Sequence, residues 1–126
     1  MKTQNTITLT GPVVSTPKVA EYEFSKRKSV RASFDMNTGE SIDSGEGKRV
    51  YKHRVVAWDV VAEYVRKFVE KDQWVDVTGS VQYRTWKDDK NGGITKYITE
   101  IVATEIKAHG QIGQEAADAV STDLPF

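Results

Sequence analysis

Two stretches place a tryptophan beside an arginine on the side of a strand that carries no valines. In "YKHRVVAW", Tyr51–Trp58, a period-2 register puts Lys52, Arg54 and Trp58 on one face. Tyr51, His53, Val55 and Ala57 take the other. In "SVQYRTW", Ser80, Gln82, Arg84 and Trp86 fall opposite Val81 and Tyr83. Core tryptophans belong with the valines, and Trp58 and Trp86 are on the wrong side for that. A π-face next to a guanidinium suits a flat heterocycle on an anionic backbone, the chemistry of single-stranded nucleic acid. Each base stacked on such a ring contributes ~1–3 kcal/mol, while Arg and Lys neutralise phosphates. The competing use is an apolar subunit contact.

Further cations cluster around these stretches. Arg31 sits opposite Ala32, Phe34 and Met36 in "VRASFDM", and Lys87, Lys90 and Lys96 flank Trp86 in "WKDDKNGGITK". Asp88 and Asp89 dilute that second group, which serves a solvated loop or a phosphate clamp equally well. The same holds for Lys26, Arg27 and Lys28, and for Lys48 with Arg49. Trp74, just ahead of Val75, reads as structural. Enzymatic constellations are lacking. His53 and His109 match no zinc spacing, and alternation makes His53 a packed or interface residue. No nucleophile elbow or marked carboxylate pair is present. Gly47-Lys48 is followed by Arg49 and lacks the upstream glycine of a phosphate loop. The expectation is a non-enzymatic protein with no metal and no cofactor.

The elements that must hold these residues are mostly strands. "NTITLTG" sets Ile7 and Leu9 against Thr6, Thr8 and Thr10, and "WVDVTGSV" aligns Val75, Val77 and Val81. "GITKYITEIVATEIK" is a long last strand, rich in β-branched residues. One helix is expected in "WDVVAEYVRKFVEK", where Val61, Tyr64, Val65 and Phe68 follow i, i+3, i+4 and i+7. Asp59 is its expected N-cap. Asn37–Arg49 and Lys87–Gly93 read as hairpin loops, the second with an Asn-Gly turn. Three strands, a helix, then two or three strands is the layout of an all-β OB-fold, a five-stranded Greek-key barrel with its helix between the third and fourth strands. Residues 1–109 form that domain. Residues 110–126, "GQIGQEAADAVSTDLPF", lose strand periodicity and read as a disordered tail.

Length, 126 residues, fits one domain and a short extension. Hydrophobic residues at 38% and charged residues at 29% are ordinary for a globular chain. No apolar run is long enough to span a membrane, no secretory h-region opens the chain, and cysteine is absent. Together these point to the cytoplasm. Net charge is zero, yet the first 110 residues carry 18 basic and 15 acidic side chains, because Glu115, Asp118 and Asp123 lie beyond. That excess is weak, so charge placement matters more than the total.

The chain resembles the bacterial single-stranded DNA-binding proteins of replication, recombination and repair, which phages and mobile elements also carry. "NTITLTGPVVSTP" is similar to the family's first strand, with Asn5, Gly11 and Pro17 in place. "HRVVAWDVVAEYVRKFVEKDQWVDVTGSVQYRTWKD" resembles its most diagnostic stretch, and "YITEIVATEI" its final strand. The resemblance implies base stacking by Trp58 and Trp86 and backbone contacts by Arg54 and Arg84. It implies a homotetramer with His53 at a subunit interface. With Lys52, Arg31, Lys87 and Lys96 these residues make up the expected ssDNA-binding set. Lys52 replaces the aromatic residue usual before that histidine, and "MNTGESI" lacks a tryptophan the family carries there. Asp72 stands where the family has a glycine after the helix. The tip "DLPF" resembles the family's acidic-hydrophobic end: Pro125 biases Leu124 toward an extended shape. Leu124 and Phe126 then become anchors beside Asp123, an end suited to a partner's apolar, basic-rimmed pocket. The implied protein is nucleoid-associated and recruits replication and repair proteins. Its rivals are an OB-fold RNA-binding protein of cold-shock type and a primosomal protein-interaction module. The tail disfavours both, and the long inserts and the paired Trp-Arg face add to the case against the first and the second respectively.

Overall fold

A computed structural model describes residues 2–41, 48–109 and 120–121. The elements are β1 (Ile7–Pro12), β2 (Lys18–Phe24), β3 (Arg27–Ser41), β4 (Lys48–Trp58), α1 (Asp59–Phe68), β5 (Trp74–Asp88), β6 (Ile94–Ala108) and β7 (Val120–Ser121). The strand order is β1-β5-β6-β4-β3-β2, with β7 against β6. All ladders are antiparallel except β4 with β6, where Val55 and Val56 pair with Ile101 and Val102. Past Pro12 the chain reaches β3: Val13 bridges Met36, and the Val14 N–H donates to the Asp35 carbonyl at 2.8 Å. That contact brings β1 round to β3 and gives the five-stranded OB barrel of β1, β3, β4, β5 and β6.

The core is built from the residues that alternation selects, Ala32, Phe34 and Met36 on β3, Val55 and Ala57 on β4, Val75 and Val77 on β5. Helix α1 adds Val61, Ala62, Tyr64 and Val65. The Tyr64 hydroxyl accepts the Ala108 N–H at 2.9 Å, which ties the helix to the end of β6. Two glycines are required by close backbone approach. A methyl group at Gly11 would overlap the Asn37 carbonyl, and one at Gly79 would overlap the Val102 carbonyl. Gly79 marks a register shift: Thr78 pairs Glu105 while Gly79 pairs Ala103, leaving Thr104 as the extra residue. The bulge inverts the parity of β6, so Ile101 and Ala103 share the buried side with Ile106 and Ala108.

Several details depart from the sequence expectation. β2 was not anticipated. It pairs with β3 through a two-residue turn in which Ser25 (φ 41°) and Lys26 (φ 74°) are both left-handed, as a type I′ hairpin needs. The basic run Lys26–Lys28 therefore rounds a hairpin. The expected loop Asn37–Arg49 is strand at both described ends: Asn37 to Ser41 pair with Lys52 to Lys48. This arm has run past the core, where main-chain bonds pair its strands. Lys87 and Asp88 are likewise in β5. A 3₁₀ turn over Asp89–Asn91 with Gly92 and Gly93 at positive φ replaces the Asn-Gly hairpin turn. Asp59 does not cap α1; its carboxylate accepts the Val30 N–H at 3.1 Å, and Trp58 holds the N-cap position with no side-chain bond. Asp72 does adopt a glycine-like φ of 73°, its N–H donating to the Val13 carbonyl at 2.7 Å. Val120 and Ser121, expected in a tail without strand, pair with Ile106 and Glu105. The tip Asp123–Phe126 lies outside the described residues.

Candidate nucleic-acid interface

The outer face of the barrel is laid out by the ladders. Arg31 pairs Trp58, Ser33 pairs Val56, Asp35 pairs Arg54 and Asn37 pairs Lys52, all with side chains away from the core. β6 adds Glu100 and Val102 beside Val56, and β5 adds Gln82 and Arg84, with Gln82 opposite Glu100. Trp58 is 40% exposed and Trp86 46%. Trp86 stands further out on the β5–β6 arm, opposite Lys96. The structure thus gathers Trp58, Arg31, Arg54, Lys52 and Arg84 on one continuous face, with Trp86 and Lys96 on its extension. Lys87 is adjacent to Trp86 in sequence and consequently falls on the reverse of that arm.

The cations are held by two shared carboxylates. Asp35 sits 3.4 Å from Arg54 Nε and 3.6 Å from Lys52 Nζ. One oxygen of Glu100, Oε2, is 3.3 Å from both Arg31 and Arg84. Glu100 is only 7% exposed, the one buried charged residue among those described. Two guanidinium groups on one carboxylate offset its desolvation and fix both arginines against the sheet. Arg31 also lies 6.0 Å from the centre of the Trp58 ring. At the arm, Lys96 pairs with Asp88 at 2.7 Å, so the acid expected to dilute this group does so by direct contact.

Sequence reading missed the contribution of β2. Tyr22 lies 6.3 Å from Trp58 between ring centres, and Phe24 lies 6.1 Å from Tyr22 with the planes 17° apart. Both are exposed, and by register Lys18, Ala20, Tyr22 and Phe24 share the Arg31 side of the sheet. The signal was present in "KVAEYEF", whose aromatics alternate with Glu21 and Glu23. An aromatic row Phe24–Tyr22–Trp58 is the result, two of its rings on a strand other than the two where the family's aromatics are absent.

Other assignments fall differently. Tyr83, grouped with the valines, is 71% exposed because β5 has passed the end of the core at that point. Trp74, read as structural, is 54% exposed opposite Pro12. His53 is half-buried on the core-side parity of β4, its Nε2 2.8 Å from Thr38 Oγ1. Among the described residues no group of acids and histidines is arranged to hold a metal. No helix among them is long and apolar enough to cross a membrane.

The model of the Single-strand binding protein family matches residues 4–109. A "Single-stranded DNA-binding protein 1" of Chlorobaculum tepidum is 35% identical over 81 residues, 62% of this chain and 49% of that protein, so the chain spans about half the relative's length. A protein of the same description from Clostridium acetobutylicum is 29% identical over 103 residues, 82% of this chain and 91% of the relative. A solved structure described as a Plasmodium falciparum SSB complex with ssDNA superposes with a TM-score of 0.69 at 25% identity, covering 98% of each chain. With the barrel, its single helix and the family match spanning nearly all of the described residues, the chain belongs to the Single-strand binding protein family.

Proposed function

We propose that this protein binds single-stranded DNA with little sequence demand, coats and protects exposed strands in replication, recombination and repair, and recruits partner proteins through Asp123, Leu124, Pro125 and Phe126. The observation that carries the DNA-binding reading is the outer face itself. Phe24, Tyr22 and Trp58 form an aromatic row flanked by Arg31, Arg54, Lys52 and Arg84, with Trp86 on the adjoining arm. Bases stack on such rings irrespective of identity, and the cations follow the backbone. The face is electropositive despite a neutral chain, since its four cations outnumber Asp35 and Glu100. The role proposed is non-enzymatic.

Assembly as a homotetramer through His53 is part of the same reading. Support comes from parity: His53 and Tyr51 on β4, and Tyr83 and Tyr97 on the β5–β6 arm, all lie on the opposite side of their strands from Arg54, Trp58, Arg84 and Trp86. A chain that used the tryptophan side for DNA would have the tyrosine sides left for its own copies. Partner recruitment rests on the sequence "DLPF", two apolar residues around a proline and next to an acid.

The deciding experiment titrates tryptophan fluorescence with poly(dT) at two salt concentrations, and repeats the titration with poly(rU). Quenching that saturates, weakens with salt and favours dT supports the reading. Absence of quenching and of any mobility shift ends it, and preference for rU transfers the protein to the RNA-binding rival.

A further inference from the structure

Between β2 and β5 the outer face dips into a pocket of about 430 Å³, within the size range of small-ligand sites. Tyr22 and Trp58 line one part of it, Arg31 and Arg84 another, and Glu100 with Val102 lies between them. Glu100 uses Oε2 for both arginines. Its other oxygen, Oε1, has no hydrogen bond to the described residues, and no buried side-chain oxygen among them is unsatisfied. Oε1 is therefore an acceptor still open to whatever enters the pocket.

We infer that this pocket takes a single unstacked nucleobase and that Glu100 Oε1 reads its exocyclic amino group, favouring cytosine, adenine or guanine over thymine there. The inference rests on the DNA-binding reading above and deepens it. A phosphate is the wrong occupant, because the carboxylate would oppose it and cancels half the charge of the two guanidinium groups. A base is the right one: it stacks on the aromatic side and meets an acceptor at its edge. Cytosine N4 donates to a carboxylate, whereas thymine presents the O4 acceptor in the same place. Strands would still bind at other positions by stacking alone, so the bias is local and is superimposed on a sequence-tolerant site.

The variant Glu100→Gln sharpens the expectation. Its carbonyl oxygen can still accept from Arg31 and Arg84, which turns the amide NH₂ toward the pocket. The open group changes from acceptor to donor, and the preference should invert toward thymine. The test is a fluorescence titration of the full chain with dC and dT oligomers of equal length, at fixed salt and at mildly alkaline pH where cytosine is neutral. The dC:dT affinity ratio should fall about tenfold from wild type to Glu100→Gln, the worth of one hydrogen bond to a charged group. A second arm alters the base as well as the protein. An oligomer of N4,N4-dimethyl-dC keeps the ring but has no amino proton, and wild type should bind it about tenfold more weakly than dC. In Glu100→Gln that difference should vanish. An unchanged dC:dT ratio in the variant, or an equal weakening with dimethyl-dC in both proteins, overturns the base-reading role and leaves DNA binding standing. A wild-type chain that binds neither dC nor dT overturns the DNA-binding reading instead.

Discussion

At the scale of single residues, the two tryptophans and the arginines separate stacking from charge. Trp58→Ala and Trp86→Ala should each weaken poly(dT) binding by about 1–3 kcal/mol. Both rings are on the solvent side, so thermal melts should change little, and folded variants that bind like wild type remove these rings from the interface. Trp58→Ala carries the larger expected effect because it also interrupts the packing on Tyr22 and the Arg31 placement. Arg54→Ala and Arg84→Ala should flatten the dependence of log affinity on log salt by about 0.7 for each phosphate no longer neutralised. A slope indifferent to both substitutions places the phosphates elsewhere. Trp58, Arg54 and Arg84 were legible because alternation within one strand is enough to assign a face. Glu100 was not. Its face depends on the extra residue at Thr104, which inverts parity along β6, and nothing local in "YITEIVATEIK" marks that bulge.

At the scale of elements, the barrel is held where strands change partners, and two predictions test those places. Gly79→Ala puts a methyl group into the Val102 carbonyl, with the Ala103 Cα 2.9 Å away. Backbone must move on both sides, and the cost expected is about 1–3 kcal/mol, read as a lower denaturation midpoint. A midpoint equal to wild type would mean that β6 yields without strain. The second concerns Asp76 on β5, which accepts from Thr10 of β1 at 2.7 Å and faces His109 Nε2, just past β6, at 2.9 Å. Burial pushes the Asp76 carboxyl up, but hydrogen bonds from His109 and Thr10 and the charges of His109 and Lys107 outweigh it and hold the group below its usual 3.8. A carboxyl lowered by folding stabilises the fold above its unfolded value and loses that contribution as pH falls through the folded one. Asp76→Asn should therefore be less stable than wild type at neutral pH, the gap closing only below about pH 4. A gap that persists in strong acid assigns the effect to packing. The barrel strands were legible from period-2 patterns over a buried face. β2 and the ends of β3 and β5 escaped because they are mostly exposed, so the alternation in "KVAEYEF" marks no buried apolar face, and the β2–β3 turn uses Ser25-Lys26 in place of Asn-Gly.

At the scale of the whole molecule, the two arms carry tyrosines on the side opposite their tryptophans and arginines. Tyr83 and Tyr97 are more than half exposed on the β5–β6 arm, and Tyr51 is exposed on the β3–β4 arm. So much aromatic surface on a small barrel exceeds what scattered exposed residues account for, and Tyr83 and Tyr97 occupy the face of the β5–β6 arm that Arg84 and Trp86 do not. Copies of the chain are the occupant that the homotetramer reading supplies. His53 tests it. The imidazole is half-buried beside Thr38, past Val55 on β4 but directly opposite the core residue Met36 of β3, so the fold of any variant there has to be checked alongside its assembly. A lysine at 53 keeps the length of the side chain but brings a permanent charge, and in a subunit contact that charge would be buried with no partner, a cost of about 3–5 kcal/mol. Sedimentation velocity over a range of concentrations should then show wild type as one large species and His53→Lys dissociating on dilution. Circular dichroism should report the same strand content for both. DNA affinity per subunit should fall much less than assembly does, since Trp58 and Arg54 face the other way. If His53→Lys sediments like wild type at the lowest concentration, the subunit contact lies elsewhere on the tyrosine face. If wild type itself is monomeric at every concentration, the tetramer is abandoned and the tyrosine face belongs to a different partner.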